Sequence, residues 1–121
     1  MRFIPASFHG FLDYAVAATL VAGPLFLGFE GVALLLAVAG GVGLFLYSLI
    51  TDYSVSARRL LPFRAHLALD FIAAVALTAA PFLFGFGPIE TLFYAGIGVS
   101  VIAVVLVTNP ETGGEASEQL S

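Results

Sequence analysis

Two long runs without charge constrain what this chain can fold into. Residues 32–50 and 91–107 contain no Asp, Glu, Lys or Arg and are mostly apolar. A bilayer core is about 30 Å thick and a helix rises about 1.5 Å per residue, so each run can span it with a residue or two of flank. Only 10% of the 121 residues are charged and 60% are hydrophobic. This balance excludes an ordinary soluble enzyme, a nucleic-acid-binding domain and a disordered chain.

Two further apolar segments are interrupted by polar residues near their starts. Segments 14–29 and 71–86 have 16 residues each and reach spanning length only together with residues 9–13 and 66–70. Unpaired backbone groups are costly in hydrocarbon, and no strand-like alternation is visible, so all four segments are predicted to be helices. The sequence thus predicts an all-α membrane protein with four transmembrane helices, arranged as two tandem helical hairpins.

The predicted boundaries follow from the apolar segments. The first two-helix repeat covers residues 1–52, with helices at about 8–29 and 32–51, and a cytoplasmic loop follows at 53–63. The second repeat covers 64–108, with helices at about 65–86 and 89–108. Residues 109–121 contain almost no apolar side chains and are predicted to form a flexible acidic tail.

The two halves of the chain are similar to each other. A shift of 57 residues makes ten of the 25 positions from 5 to 29 identical, and these include His9 on His66 and Asp13 on Asp70. The unit is a helical hairpin used twice, with a pseudo-two-fold axis predicted along the membrane normal.

Many of the identical positions lie on one helical stripe. In the first copy the stripe consists of His9, Asp13, Ala17, Leu20, Pro24 and Gly28. Lipid requires only apolar residues whereas packing requires particular shapes, so the stripe is predicted to face protein. We expect the first and third helices to face each other near the axis; alternatively, each stripe packs on its own hairpin partner.

His9 with Asp13 and His66 with Asp70 form two intramembrane His-x-x-x-Asp pairs. Residues four apart share a helix face, so each pair can form a hydrogen bond. One interpretation is a duplicated anchor, in which the imidazole neutralises a carboxylate near a helix N-terminus. The other is that the pairs converge into a cluster that holds a divalent metal ion or passes protons. The sequence predicts no cofactor and no metal ion, and a metal held by these four residues is the alternative.

Pro24 and Pro81 are predicted to kink their helices, or to end them early before an interfacial aromatic stretch. A broken helix lining a substrate site is the alternative.

The basic residues predict the orientation. All four lie on the side of the termini and the central loop, and by the positive-inside rule both termini are cytoplasmic in the cell (inner) membrane. Anionic lipid headgroups are their expected partners. These residues are Arg2, Arg58, Arg59 and Arg64.

Several segments resemble a known family. They are Pro5-Ala6-Ser7-Phe8-His9-Gly10-Phe11-Leu12-Asp13-Tyr14, Gly23-Pro24-Leu25-Phe26-Leu27-Gly28-Phe29, residues 47–53 and the second copy at 62–86. The chain is similar here to the SPW-repeat membrane proteins of bacteria, whose duplicated unit has two transmembrane helices. At the naming motif only Pro24 and Pro81 are present, and the chain has no Trp. The resemblance implies a multi-pass membrane protein and no particular activity.

Two functions are compatible with the sequence. The first is a non-catalytic scaffold or accessory subunit that packs against lipid, copies of itself or a larger membrane complex through small-xxx-small patterns. The alternative is a small proton-handling, ion-handling or metal-binding protein that uses the two His-x-x-x-Asp pairs. An enzyme is not expected, because no catalytic triad order, phosphate loop or substrate-holding domain is present.

Overall fold

The computed structural model describes residues 3–51 and 61–110, and it confirms the predicted fold class. The described chain forms four α-helices, each long and apolar enough to span a membrane. The protein is therefore a multi-pass membrane protein by its fold. Arg2, Arg58, Arg59 and residues 111–121 of the predicted acidic tail lie outside the described residues. The helices are α1 (Ala6–Leu27), α2 (Gly31–Leu49), α3 (Phe63–Phe84) and α4 (Pro88–Val107).

Proline and glycine set the ends of α1 and α3. Each helix begins directly after a proline, Pro5 or Pro62, which is why both start two residues before the positions expected from hydropathy. Each ends at a glycine in the left-handed region, Gly28 with φ 75° and Gly85 with φ 67°, a conformation that glycine adopts without steric cost.

The internal prolines lie in the last turn of their helices. α1 ends three residues after Pro24, and α3 ends three residues after Pro81. The carbonyl of each proline accepts the N–H of the capping glycine, so the helix terminates in a closed turn. This agrees with the predicted early end rather than with a bend in the middle of a span.

Each hairpin is held by close helix packing. α1 packs mainly on α2, and α3 packs mainly on α4. A Cβ atom added to Gly41 would lie 2.8 Å from the carbonyl oxygen of Ala17, and one added to Gly98 would lie 2.8 Å from that of Ala74. Glycine at these two positions therefore lets the helix backbones approach each other closely.

The two hairpins are joined at one end of the bundle by two short backbone bridges. Ile4 pairs with Thr108, and Thr51 pairs with Leu61. The bridges are related by the same shift of 57 residues that relates the two halves of the sequence. The two bridges lie at one end of the bundle, together with the start of α1, the end of α4 and both ends of the central loop. The short turns that connect α1 to α2 and α3 to α4 lie at the other end.

The predicted stripe is buried, but it faces two different neighbours. His9, Asp13, Ala17, Leu20 and Pro24 are buried in α1, and only Gly28 is exposed. The end that contains His9 and Asp13 meets α3, as predicted, whereas Ala17 and Leu20 pack against α2, as the alternative geometry required. In α3 the equivalent Leu77 is only half-buried.

Candidate functional site

Four ionisable side chains from α1 and α3 converge near the bridged end of the bundle. Their side-chain ligand atoms all lie within 4.8 Å of one another, and each residue is at most 5% exposed. The convergence that the sequence left open is therefore present in the structure. We call these four residues the His/Asp cluster: His9, Asp13, His66 and Asp70.

The shortest contacts in the His/Asp cluster run between the hairpins. His9 Nε2 lies 2.8 Å from Asp70 Oδ2, and His66 Nε2 lies 2.6 Å from Asp13 Oδ2. Within each helix the Nε2 to Oδ2 distances are longer, 3.2 Å for His9 and Asp13 and 3.1 Å for His66 and Asp70. The predicted pairs along one helix are thus supplemented by stronger contacts across the interface.

Two buried threonines orient the imidazole rings. His9 Nδ1 lies 2.8 Å from Thr108 Oγ1, and His66 Nδ1 lies 2.6 Å from Thr51 Oγ1. Each threonine hydroxyl donates its proton to the carbonyl four residues earlier, at 2.6 Å. The hydroxyl oxygen is therefore the acceptor toward the ring, so Nδ1 carries the ring proton and donates it.

The position of the ring proton on Nδ1 determines whether Nε2 can donate a hydrogen bond to the carboxylates. A neutral imidazole has one N–H, and that N–H is used by the threonine, so Nε2 carries a lone pair. Two such lone pairs facing two carboxylate oxygens repel them. The His/Asp cluster therefore requires a proton or a cation between each Nε2 atom and the carboxylate oxygen that faces it.

The surroundings of the two carboxylates differ. The Tyr47 hydroxyl donates to Asp70 Oδ1 at 2.5 Å, and the Tyr47 ring contacts the His66 ring edge-on with centroids 4.8 Å apart. Val104 occupies the position 57 residues after Tyr47. No hydrogen bond to Asp13 Oδ1 forms among residues 3–51 and 61–110. Within the described part of the chain, one carboxylate thus has a hydroxyl donor and the other has none.

The remaining predicted site residues lie away from the His/Asp cluster. Pro24 and Pro81 are near the opposite ends of α1 and α3, where they shape the turns. Arg64 is exposed in the first turn of α3, which suits the predicted contact with a lipid headgroup.

Sequence reasoning missed three residues of the site. Thr51 and Thr108 are the same residue at equivalent positions of the two halves, 57 residues apart. An identical polar residue at the ends of two apolar helices could have marked them as site residues. Tyr47 gave no comparable signal, because its counterpart is Val104.

Fold and site together define a four-helix, multi-pass membrane protein with a buried cluster of two histidines and two aspartates. No family model matches the chain, and no curated protein or solved structure is similar to it.

Proposed function

We propose that this protein is a non-catalytic membrane scaffold whose two hairpins are fastened by one divalent transition-metal ion in the His/Asp cluster. The observation that carries the proposal is the convergence of two Nε2 and two Oδ2 atoms from α1 and α3. Both histidines also donate Nδ1–H to a threonine, the outer hydrogen bond that metal-binding histidines commonly make.

The number of available protons supports a metal ion. The four Nε2 to Oδ2 distances of 2.6–3.2 Å describe a closed ring of contacts in which each nitrogen meets both carboxylates. Fully protonated rings supply only two N–H groups for these four contacts. A single cation between the four atoms interacts favourably with all of them.

Distance and charge also fit a zinc-like ion. Tetrahedral coordination with bonds of about 2.0–2.1 Å places all ligand atoms about 3.3 Å apart. The four N···O distances are slightly shorter than this, whereas the most distant ligand atoms are up to 4.8 Å apart, so binding requires the ring of four atoms to rearrange toward a tetrahedron. Imidazole with carboxylate suits Zn²⁺ and similar borderline ions. Two carboxylates also neutralise a divalent cation, which is essential for a charge within a membrane.

The coordination number supports a structural role. Four protein ligands complete a tetrahedral shell, whereas catalytic zinc sites keep one position open for water or substrate. The His/Asp cluster is also buried from solvent. The metal would therefore hold α1 against α3, which supports a scaffold rather than an enzyme.

The same residues support a second candidate, an interlock without metal. The two contacts between hairpins, at 2.8 and 2.6 Å, have the length of charge-assisted hydrogen bonds. Two imidazolium–aspartate pairs would also give a neutral cluster that joins the hairpins. The two candidates differ in whether the purified protein retains a metal ion.

Metal analysis of detergent-purified protein distinguishes them. After incubation with Zn²⁺ and dialysis, we expect one zinc per chain in the native protein and background zinc in the His9→Gln/His66→Gln variant, because an amide ligates zinc poorly. The matched control is Tyr94→Phe, which removes a buried hydroxyl bonded to Ala33 O at 2.5 Å, far from the His/Asp cluster. This control should retain one zinc.

If the His9→Gln/His66→Gln variant does not fold, the free energy of unfolding of the native protein with and without zinc tests the same proposal. Zinc at about 100 times its dissociation constant should stabilise the chelator-treated protein by about 2.7 kcal/mol. Native protein that retains no zinc and is not stabilised by it would refute the metal proposal and favour the interlock.

The proposed setting is the cell membrane, with the bridged end of the bundle on the cytoplasmic side, as the arginine distribution predicts. The tandem hairpins and Pro24 and Pro81 support an SPW-repeat type of protein. Large exposed side chains such as Phe26, Leu83 and Leu92 supply an outward surface for lipid or for partner subunits.

A further inference from the structure

A cleft of about 430 Å³ lies between the hairpins, mainly between α2 and α3. This volume is within the usual range of small-molecule sites, about 300–1,000 Å³. The wall is almost entirely aliphatic, with Leu36, Gly40, Gly43 and Ala73 among its residues. At one end the wall contains polar members, which are Asp13, Tyr47 and Asp70.

The cleft exists because the two halves of the chain have diverged. The α2 residues Gly40 and Gly43 correspond to the larger Ile97 and Ser100 on α4. A Cβ atom added to Gly40 or Gly43 would meet no atom within 4 Å, so the space beside them is open.

On the equivalent side, between α1 and α4, the ring of Phe93 packs directly against Gly23. Its Cε1 atom lies 2.5 Å from where a Cβ of Gly23 would be, whereas the counterpart of Phe93 on α2 is the smaller Leu36. An aromatic ring thus packs on α1 at the position whose counterpart, Leu36, is an aliphatic residue of the cleft wall.

The dimensions of the cleft favour a slender hydrocarbon chain. Leu36 and Tyr47 are eleven residues apart on α2, so the cleft is about 16 Å long at a rise of 1.5 Å per residue. Gly40 and Leu36 of the cleft wall are exposed, so the cleft is open at the side of a helix that is apolar enough to span a membrane. A ligand can thus arrive from the membrane and lie along the helices.

The polar end of the cleft favours a ligand that donates a hydrogen bond. Asp13 is part of the cleft wall, and its Oδ1 atom receives no hydrogen bond from the residues that the structure describes. Asp70 Oδ1, by contrast, accepts the Tyr47 hydroxyl proton. A hydroxyl on the ligand would supply to Asp13 what Tyr47 supplies to Asp70.

We propose that the cleft between α2 and α3 binds a single-chain amphiphile from the bilayer, a long-chain alcohol in chemical class, with its hydroxyl group donating to Asp13 and its hydrocarbon chain alongside Gly40 and Gly43. The proposal does not depend on a metal ion, because the oxygen it uses is Oδ1 and the converging oxygen of Asp13 is Oδ2.

Photo-crosslinking with hexadecanol that carries a diazirine in its chain tests the proposal. The full-length protein in lipid nanodiscs should be labelled on α2 and α3 residues of the cleft. In the Gly40→Leu/Gly43→Leu variant labelling should fall at least tenfold, because two leucine side chains fill the space. The matched control is Gly96→Leu on α4, where a Cβ also meets no atom within 4 Å but the residue is outside the cleft wall; its labelling should not change.

Competition by unlabelled ligands tests the hydroxyl group. Hexadecanol should displace the probe at least tenfold more effectively than hexadecyl methyl ether, which cannot donate a hydrogen bond. Equal competition, labelling spread over the outward helix faces, or unchanged labelling in the Gly40→Leu/Gly43→Leu variant would overturn the proposal. Measuring the zinc content of the same variants separates the two sites. The Gly40→Leu/Gly43→Leu variant, whose cleft is filled, should still bind one zinc per chain. If the native protein binds no zinc, the metal proposal fails, and the crosslinking result still decides whether the cleft binds the alcohol.

Discussion

Thr51 and Thr108 determine which nitrogen of each imidazole faces the carboxylates. Each threonine uses its own proton on the carbonyl four residues earlier and so accepts Nδ1–H from His66 or His9. Without these acceptors either nitrogen could carry the ring proton and the rings could rotate. The two threonines therefore position the metal ligands proposed here, although they do not contact the metal themselves.

The variant Thr51→Val keeps the shape of the side chain and removes the acceptor for His66 Nδ1. We expect zinc affinity to fall about 10–100-fold, the usual cost of losing an outer hydrogen bond to a metal ligand. Competition with a chromophoric chelator measures this affinity. Thr108→Val should behave similarly through His9.

Thr19→Val is the matched control for both substitutions. The Thr19 hydroxyl makes the same bond to the carbonyl four residues earlier, Ala15 O at 2.8 Å, but on an exposed face without a histidine. Its zinc affinity should equal that of the native protein. If Thr19→Val loses as much zinc affinity as Thr51→Val, the threonines affect only the stability of the fold and do not position the histidines.

At the scale of the helices, small residues decide how closely each hairpin closes. Gly41→Ala places a Cβ 2.8 Å from Ala17 O and 2.9 Å from Leu20 Cβ. The helices must then move apart, and overpacking of this kind costs about 1–3 kcal/mol. Unfolding in mixed micelles of increasing SDS content should show this loss in the free energy of unfolding.

The neighbouring variant Gly40→Ala is the control for Gly41→Ala. An added Cβ at Gly40 meets no atom within 4 Å, so the free energy of unfolding should not decrease. The close-packing account is wrong if Gly40→Ala and Gly41→Ala destabilise the protein equally.

The helices themselves were predictable, but their ends were less so. Hydropathy located all four spans, since a membrane-spanning helix needs about 20 apolar residues. The boundaries of α1 and α3 were placed two residues late, because Pro5 and Pro62 start these helices ahead of the apolar segments. The fixed backbone geometry of proline, not hydropathy, decides where these two helices start.

At the scale of the whole molecule, the two hairpins meet at both ends of the bundle. Packing within each hairpin dominates, and the bridged end carries the His/Asp cluster and the two short backbone bridges. Farther along the bundle the cleft separates α2 from α3. At the end with the short turns, Phe29 and Ala33 of one hairpin share a hydrophobic core with Ala80 and Tyr94 of the other. Binding at the His/Asp cluster therefore acts on one of the two ends at which the halves meet.

The sequence could identify the cluster residues but not their arrangement. The shift of 57 residues marked His9 with His66 and Asp13 with Asp70, and helical periodicity placed them on one stripe. Whether the two stripes meet depends on the distance and rotation between hairpins, which no local pattern contains. For the same reason the cleft was not foreseen, although Gly40 and Ile97 already differ in the aligned halves.

X-ray absorption at the zinc edge, on native protein loaded with one equivalent of zinc, tests the central claim most directly. The account predicts four light ligands at about 2.0–2.1 Å, with the scattering of two imidazole rings, and loss of that scattering in the His9→Gln/His66→Gln variant. A shell of oxygen ligands alone in the native protein, or imidazole scattering that persists in the variant, would contradict it.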